Sequence, residues 1–232
     1  MYFDFFATTA LGLEETLANE LYTLGFAAVR AEKAGAYFRG SFEDCMLANL
    51  HLRTANRVVM TLAEFESPDA ERLYDGVREI DWRPFFQGDR TLAVSANVRD
   101  SVTINNSLFA ALTVKDAIVD QLRDLTGKRP NVDRHNPDVQ VVTRISGERT
   151  VIGTDTSGES LHMRGYRRSS VEAPLKETLA AGLVFLSGWN RLEDFHDPMC
   201  GSGTIAIEAG LMARRIHAAS LVRSARLGKN SG

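Results

Sequence analysis

Residues 197–204, Asp-Pro-Met-Cys-Gly-Ser-Gly-Thr, narrow the possible folds more than any other segment. Ahead of them, Leu192–His196 predicts a short strand. Behind them, Ile205, Ile207, Ala209 and Leu211 open a helix. A strand, a glycine-bearing turn and a helix, in that order, form the ligand-binding corner of a parallel α/β sheet. Gly201 and Gly203 lack Cβ atoms, so the turn can be tight. A ligand can then lie against backbone N–H groups at the helix start. Asp197, at the strand end, is placed to accept a hydrogen bond from a ribose hydroxyl or to pair with an ammonium.

Three cofactor chemistries compete for such a loop. A Walker A loop needs Lys after its last glycine, and here Thr204 follows. Gly201-x-Gly203-x-x-Ala206 formally fits a dinucleotide fingerprint, but residues 209–232 hold no acidic partner for a ribose. S-adenosylmethionine has no pyrophosphate and tolerates a carboxylate beside its amino group, so Asp197 favours it. Loop chemistry alone leaves open the dinucleotide site and a tight turn with no ligand.

Charge and composition remove other classes. Over 232 residues, 27 Lys+Arg stand against 30 Asp+Glu, a net charge of −3, so the chain cannot grip nucleic acid by bulk charge alone. The apolar runs are too short for a membrane span. The N-terminus carries Asp4 and no basic region, unlike a secretory signal. Cys45 and Cys200 lie far apart, and the five histidines show no HExxH or HxxxH spacing. These features predict a cytoplasmic, metal-free protein.

The hydrophobic pattern divides the rest. Phe3–Ala7 reads as a strand. Leu13, Leu17, Leu21 and Leu24 make a helix that stops at Gly25, and Ala27–Ala31 and Ala36–Arg39 read as paired strands. Leu47, Leu50 and Ala55 suggest a second helix, Val58–Phe65 a strand, and residues 70–80 a third helix. Trp82, Phe85 and Phe86 form an aromatic corner expected in the core. Thr91–Val98 alternates as a strand. Ser107–Leu125 is the strongest helix, with Leu108, Ala111, Leu112, Val114, Ile118, Leu122 and Leu125 as its apolar stripe and Asn105 or Asn106 as cap. Val139–Ile145 and Thr150–Asp155 read as a hairpin about Gly147-Glu148. Residues 156–173 are polar and poorly periodic, which reads as a linker. Pro174 suits the first position of a helix carrying Leu175, Leu179, Leu183 and Leu186.

Several of these segments resemble one family. DPMCGSGTIAIEA (197–209) is similar to motif I of the THUMP-associated RNA methyltransferases, and APLKETLAAGLVFLSGW (173–189) to the helix before it. SGESLHMRGYR (157–167), NNSLFAALTVKDAIVDQL (105–122), RPNVDRHNPDVQV (129–141) and FFATTALGLEETLANEL (5–21) resemble the same family, within the subgroup acting on guanine N2 of 23S ribosomal RNA. The resemblance implies an α+β THUMP module with an N-terminal ferredoxin-like segment. The start of an α/β Rossmann-like S-adenosylmethionine-dependent methyltransferase domain would follow. The implied divisions are 1–42 ferredoxin-like, 43–155 THUMP, 156–172 linker and 173–232 methyltransferase. Asp197, Pro198, Cys200, Gly201, Ser202, Gly203 and Thr204 fall on the cofactor loop, and Lys176, Glu177 and Thr178 on the helix over the methionine end.

One departure stands out. The family's Asn-Pro-Pro-Tyr, which would hold the target amine and stack on a flipped base, does not occur; the only Asn-Pro is Asn136-Pro137. The expectation is therefore a fragment of a longer protein, with no catalytic residue to nominate. The alternative is an RNA-binding THUMP module with no activity of its own. Arg164, Arg167 and Arg168 are the best RNA candidates, as three guanidiniums at a junction suit phosphates, though a solvated linker face explains them as well. Lys128, Arg129 and Arg134 are further RNA candidates. Lys115 beside Asp116 reads as surface patterning, Cys200 as a small packing residue, and His162 and His196 as structural or capping groups.

Overall fold

The computed structural model describes residues 2–166 and 175–218. They divide into two compact units, one of 1–58 with 156–232 and one of 59–155.

The first unit opens with strand β1 (Phe3–Thr8), helix α1 (Glu14–Thr23) and strands β2 (Ala27–Glu32) and β3 (Gly35–Gly40). β3 lies between β1 and β2, antiparallel to both, with Phe5 opposite Phe38. Their rings stack at 5.1 Å, and Phe26 meets Phe38 at 5.0 Å. Of the leucine repeat read from the sequence, α1 buries Leu17 and Leu21 and its preceding residue Leu13 is also enclosed, whereas Leu24, just past the helix, is exposed. Helix α2 (Phe42–His51) starts at a capping box: Ser41 Oγ accepts from Asp44 N at 3.2 Å, and Asp44 Oδ2 accepts from Ser41 N at 2.8 Å.

The second unit holds β4 (Arg57–Glu66, which begins in the first), α3 (Ala70–Arg78), β5 (Leu92–Arg99), α4 (Ser107–Thr126), β6 (Val139–Ser146) and β7 (Arg149–Asp155). β4 pairs antiparallel with β7, β7 antiparallel with β6, and β6 parallel with β5. A parallel pair needs a crossover, and α4 supplies it. Trp82, as expected, is core at 0% exposure, with Phe85 and Phe86 packed against the same cluster. Asn106 proves to be the cap of α4, its Oδ1 accepting from Leu108 N and Phe109 N at 2.8 and 3.0 Å.

The sequence reading needs correction in four places. The buried face of α4 is Ala110, Val114, Ala117, Ile118, Gln121 and Leu122, while Leu108, Leu112 and Leu125 are exposed. This helix is apolar on more than one side, and Ala110 and Ala117 are small enough to let it approach its neighbours closely. Residues 156–161 are not a loose linker. Thr156 N donates to Val58 O at 2.9 Å, Val58 N to Ser157 Oγ at 2.8 Å, and Leu161 N to Asn56 O at 2.8 Å. These bonds, with α2, group both segments with the first unit rather than with residues 59–155. Helix α5 (Glu177–Leu186) starts after Pro174, which lies outside the described residues, and buries Ala180, Ala181, Gly182 and Val184 while Leu183 and Leu186 face outward. Leu192–His196 is not a strand. An extended segment becomes one only by pairing, and no described strand pairs with it.

Candidate functional site

The loop singled out by its glycines leads into helix α6 (Thr204–Ala213). Gly201 and Gly203 have φ of +50° and +76°, a region that costs other residues about 1–2 kcal/mol. Gly203 N donates to Cys200 O at 2.6 Å and closes the turn. Gly203 also occupies the cap position and has no side chain with which to cap α6, whose first turn holds no acid. A helix start of this kind offers its first N–H groups, with the positive end of the helix dipole, to an incoming polar group. Asp197 stands at the other side of the turn. Its Oδ1 accepts from Met199 N at 3.2 Å, while Oδ2 is buried and has no hydrogen-bond partner among the described residues. A buried carboxylate oxygen without a donor is costly, and a ligand hydroxyl or ammonium would supply one. Pro198, Met199, Cys200, Gly201 and Ser202 are exposed, with Ser202 Oγ 3.2 Å from Thr204 Oγ1. Cys200 is therefore not a packing residue, because the turn carries it to the surface.

Helix α5 packs on α6 through Ala181, Val184, Ala209 and Met212. Lys176 is its exposed cap residue, and Glu177 and Thr178 are buried. Thr178 Oγ1 donates to Asn56 Oδ1 at 2.8 Å, so its hydroxyl is engaged with the first unit's N-terminal part.

Arg164 departs most from its expected role. Its side chain is 1% exposed, with Nε donating to Glu208 Oε1 at 2.9 Å and Nη2 to Arg53 O at 2.7 Å. Tyr166 Oη donates to the same Glu208 oxygen at 3.1 Å. A guanidinium enclosed in this way is not presented to phosphate. Its work is to pin residues 161–166 to α6. Arg167 and Arg168 lie outside the described residues. Glu208 was the missed partner, and a single acid inside the apolar run TIAIEAGLM was the available signal.

Burial pushes the Glu208 carboxyl above its ordinary 4.5, against the pull of Arg164 and Tyr166. The unfolded chain loses this proton near pH 4.5, whereas the folded chain keeps it to higher pH. Glu208 thus contributes stability below about pH 4.5 that is lost as pH rises through the folded value. In urea melts, the stability of the native chain relative to Glu208→Gln should fall between pH 4.5 and 8. A difference that rises with pH would contradict this.

In the second unit Lys128, Arg129 and Arg134 are all exposed. Lys128 and Arg129 line, with Arg90, Phe86 and Asn131, a cavity of about 500 Å³. Arg134 sits in a turn held by Asp133 Oδ1, which accepts from His135 N at 2.9 Å and Asn136 N at 3.1 Å. Elsewhere His162 Nδ1 lies 2.7 Å from Ser160 Oγ, His196 is exposed, and Lys115 pairs with Asp116 at 2.5 Å. No group of three or more metal-ligating side chains occurs among the described residues, and no described helix is long and apolar enough to cross a membrane.

Three known domain families match the chain: the RlmL ferredoxin-like domain over residues 4–59, the THUMP domain over 67–155, and the RMKL-like methyltransferase domain over 164–228. Among curated proteins, the ribosomal RNA large subunit methyltransferase K/L of Syntrophotalea carbinolica is 45% identical over 90% of this chain, and that of Methylococcus capsulatus 43% over 92%. The chain spans about 30% of the length of these relatives. Among solved structures, SMU.472, assigned as a methyltransferase and complexed with SAH, superposes with a TM-score of 0.83 at 30% identity, over 94% of this chain and 57% of that one. The chain thus carries, in order, segments that match an RlmL ferredoxin-like domain, a THUMP domain and an RMKL-like methyltransferase domain.

Proposed function

We propose that this chain is the RNA-binding portion and cofactor-loop segment of an S-adenosylmethionine-dependent methyltransferase that modifies guanine N2 in 23S ribosomal RNA. The observation that carries the reading is the turn at 197–204. There a buried Asp197 Oδ2, with no partner among the described residues, stands beside a helix start capped by a glycine, in a chain that also holds a THUMP domain. Bound S-adenosylmethionine supplies an electrophilic methyl group. Asp197 accepts a hydrogen bond from the cofactor, and Gly201, Ser202, Gly203 and Thr204 bring backbone donors to it. Pro198 and Cys200 shape the turn, while Lys176, Glu177 and Thr178 complete the site from α5. Lys128, Arg129 and Arg134 take RNA phosphates on the THUMP domain. The work of these residues is placement rather than covalent chemistry.

A second reading follows from the sequence itself. These 232 residues contain no Asn-Pro-Pro-Tyr, so the chain alone binds RNA without methylating it. Incubation with S-adenosylmethionine and unmodified ribosomal RNA separates the two, since turnover by this chain would overturn the second reading. For the cofactor, calorimetry should show S-adenosylmethionine binding more tightly than NAD or ATP. Asp197→Ala should weaken it by about tenfold or more, the scale of one lost charged hydrogen bond. Tighter binding of NAD would sink the methyltransferase reading.

A further inference from the structure

The first unit contains a second concavity, of about 600 Å³, lined from α1, the end of α2, α5 and the C-terminal end of α6. It lies at the far end of α6 from the glycine turn, so it is not the cofactor loop. Its charged lining is one-sided, with Arg53, Arg191 and Arg215 against Glu20, and it also holds the rings of His51 and His217. Glu20 already has its donors. Oε1 accepts from Arg53 N at 2.8 Å, and Oε2 accepts from Thr54 N at 2.9 Å and from the Thr54 hydroxyl. The Arg53 guanidinium feels Glu208 and Glu20 as attractive charges, but Glu208 Oε1 is bound by Arg164 and Tyr166. Arg53 Nη2 donates to Ile216 O at 2.6 Å, while Nη1 is buried and has no hydrogen-bond partner among the described residues. The His51 and His217 rings meet edge-on at 4.1 Å, and burial, His217 and Arg53 together hold His51 below its ordinary pKa. Among the described residues the cavity therefore presents three guanidiniums against one carboxylate, with the buried Arg53 Nη1 left to donate.

The backbone adds a separate observation. Arg191 and Arg215 have φ of +68° and +54°, a conformation that side chains other than glycine rarely adopt. Arg215 follows the cap residue of α6, where Ile216 N donates to Leu211 O at 2.9 Å and Arg215 N to Met212 O at 3.1 Å. Glycine is the usual occupant of that position, and α1 and α5 do place Gly25 and Gly188 there. At α6 the chain instead holds an arginine in a strained backbone, with its side chain on the cavity wall. Strain of this kind concentrates at binding sites.

We infer that this cavity binds a single nucleotide, its phosphate held by Arg53, Arg191 and Arg215 and its base against Phe185 and Met212. Resting on the RNA-binding reading above, the nucleotide is one of the RNA substrate. A volume of this size suits a nucleotide better than a bare phosphate, and guanidinium forks match phosphate oxygens.

The test uses the whole 232-residue chain with two probes: AMP followed by calorimetry, and a labelled single-stranded RNA followed by anisotropy. Arg215→Gly and Arg191→Gly remove the cations while giving each backbone the residue it favours, so both variants should melt no lower than the native chain. Either should weaken AMP by about tenfold and weaken RNA in parallel, and AMP should compete with RNA. If AMP fails to bind, or binds native and variant chains equally, the inference falls. RNA binding that is equal in all three chains would leave the RNA reading standing without this pocket. Loss of AMP binding with RNA untouched would overturn RNA as the source of the nucleotide. If no chain binds RNA yet the variants lose AMP, the RNA reading fails and the nucleotide pocket stands.

Discussion

Arg164→Met should destabilise the chain by about 3–5 kcal/mol at neutral pH, the usual penalty for removing one partner of a buried ion pair. Both side chains are enclosed, at 1% and 0% exposure. Among the described residues, removing the guanidinium leaves Glu208 with the Tyr166 hydroxyl alone, and its Oε2 already lacks a partner there. It also removes the bond from Nη2 to Arg53 O, which ties residue 164 to the end of α2. Protonation of Glu208 relieves the stranded charge, so the penalty should be smaller at pH 5 than at pH 8. The double variant Arg164→Met, Glu208→Leu should recover most of the loss, because two apolar groups replace two buried charges. Urea melts of the four chains in that cycle decide the matter. A single-variant loss below about 1 kcal/mol would mean that the pair is far more solvated than its burial indicates. A further consequence separates this role from RNA contact: folded Arg164→Met should keep the native salt dependence of RNA affinity, whereas loss of a phosphate contact would flatten it.

Trp82→Ala should remove about 3–5 kcal/mol from the second unit, the range for deleting a large buried aromatic. The side chain is fully enclosed among Leu73, Val77, Ile118 and Leu122, and its ring lies 6.0 Å from that of Phe85. Its indole Nε1 donates to Val77 O at 3.0 Å, and its backbone N donates to Gln121 Oε1 at 3.2 Å. Gln121 in turn donates to Ile80 O at 2.6 Å, so one buried network spans α3, the aromatic corner and α4. Trp82→Phe keeps most of the apolar volume and removes the indole donor, but the Val77 carbonyl keeps Ile80 N at 3.3 Å, so the loss should be about 0.5–1.5 kcal/mol. Stability that survives Trp82→Ala while RNA affinity falls would show instead that the ring stacks on a base.

Local pattern was enough for most elements. The leucine repeat of α1, the alternation of β5 and the hairpin about Gly147 each follow from side-chain periodicity, which records which face is buried. The two glycines at 201 and 203 predicted the turn they form, because left-handed backbone is readable from residue type. Rotation of a helix is another matter. Both α4 and α5 are apolar on several sides, and which leucines stay outside depends on where small residues let the neighbours come close.

The pairing of charges was the least legible part. Arg164 and Glu208 are 44 positions apart and meet only because residues 156–166 fold back beside Asn56 and Val58. Nothing in a one-dimensional charge pattern separates a buried arginine from one facing RNA. The cavity at Arg53, Arg191 and Arg215 likewise gathers residues from four distant segments. By itself the sequence determined the order of all the described strands and helices, though it added a strand at Leu192–His196 that does not form, together with the glycine turn, the resemblance to THUMP-associated methyltransferases and the lack of Asn-Pro-Pro-Tyr in these 232 residues, all properties carried by contiguous residues. Tertiary structure alone decided which cations are enclosed and which remain free to bind. That distinction depends on desolvation and on partners brought together across the chain.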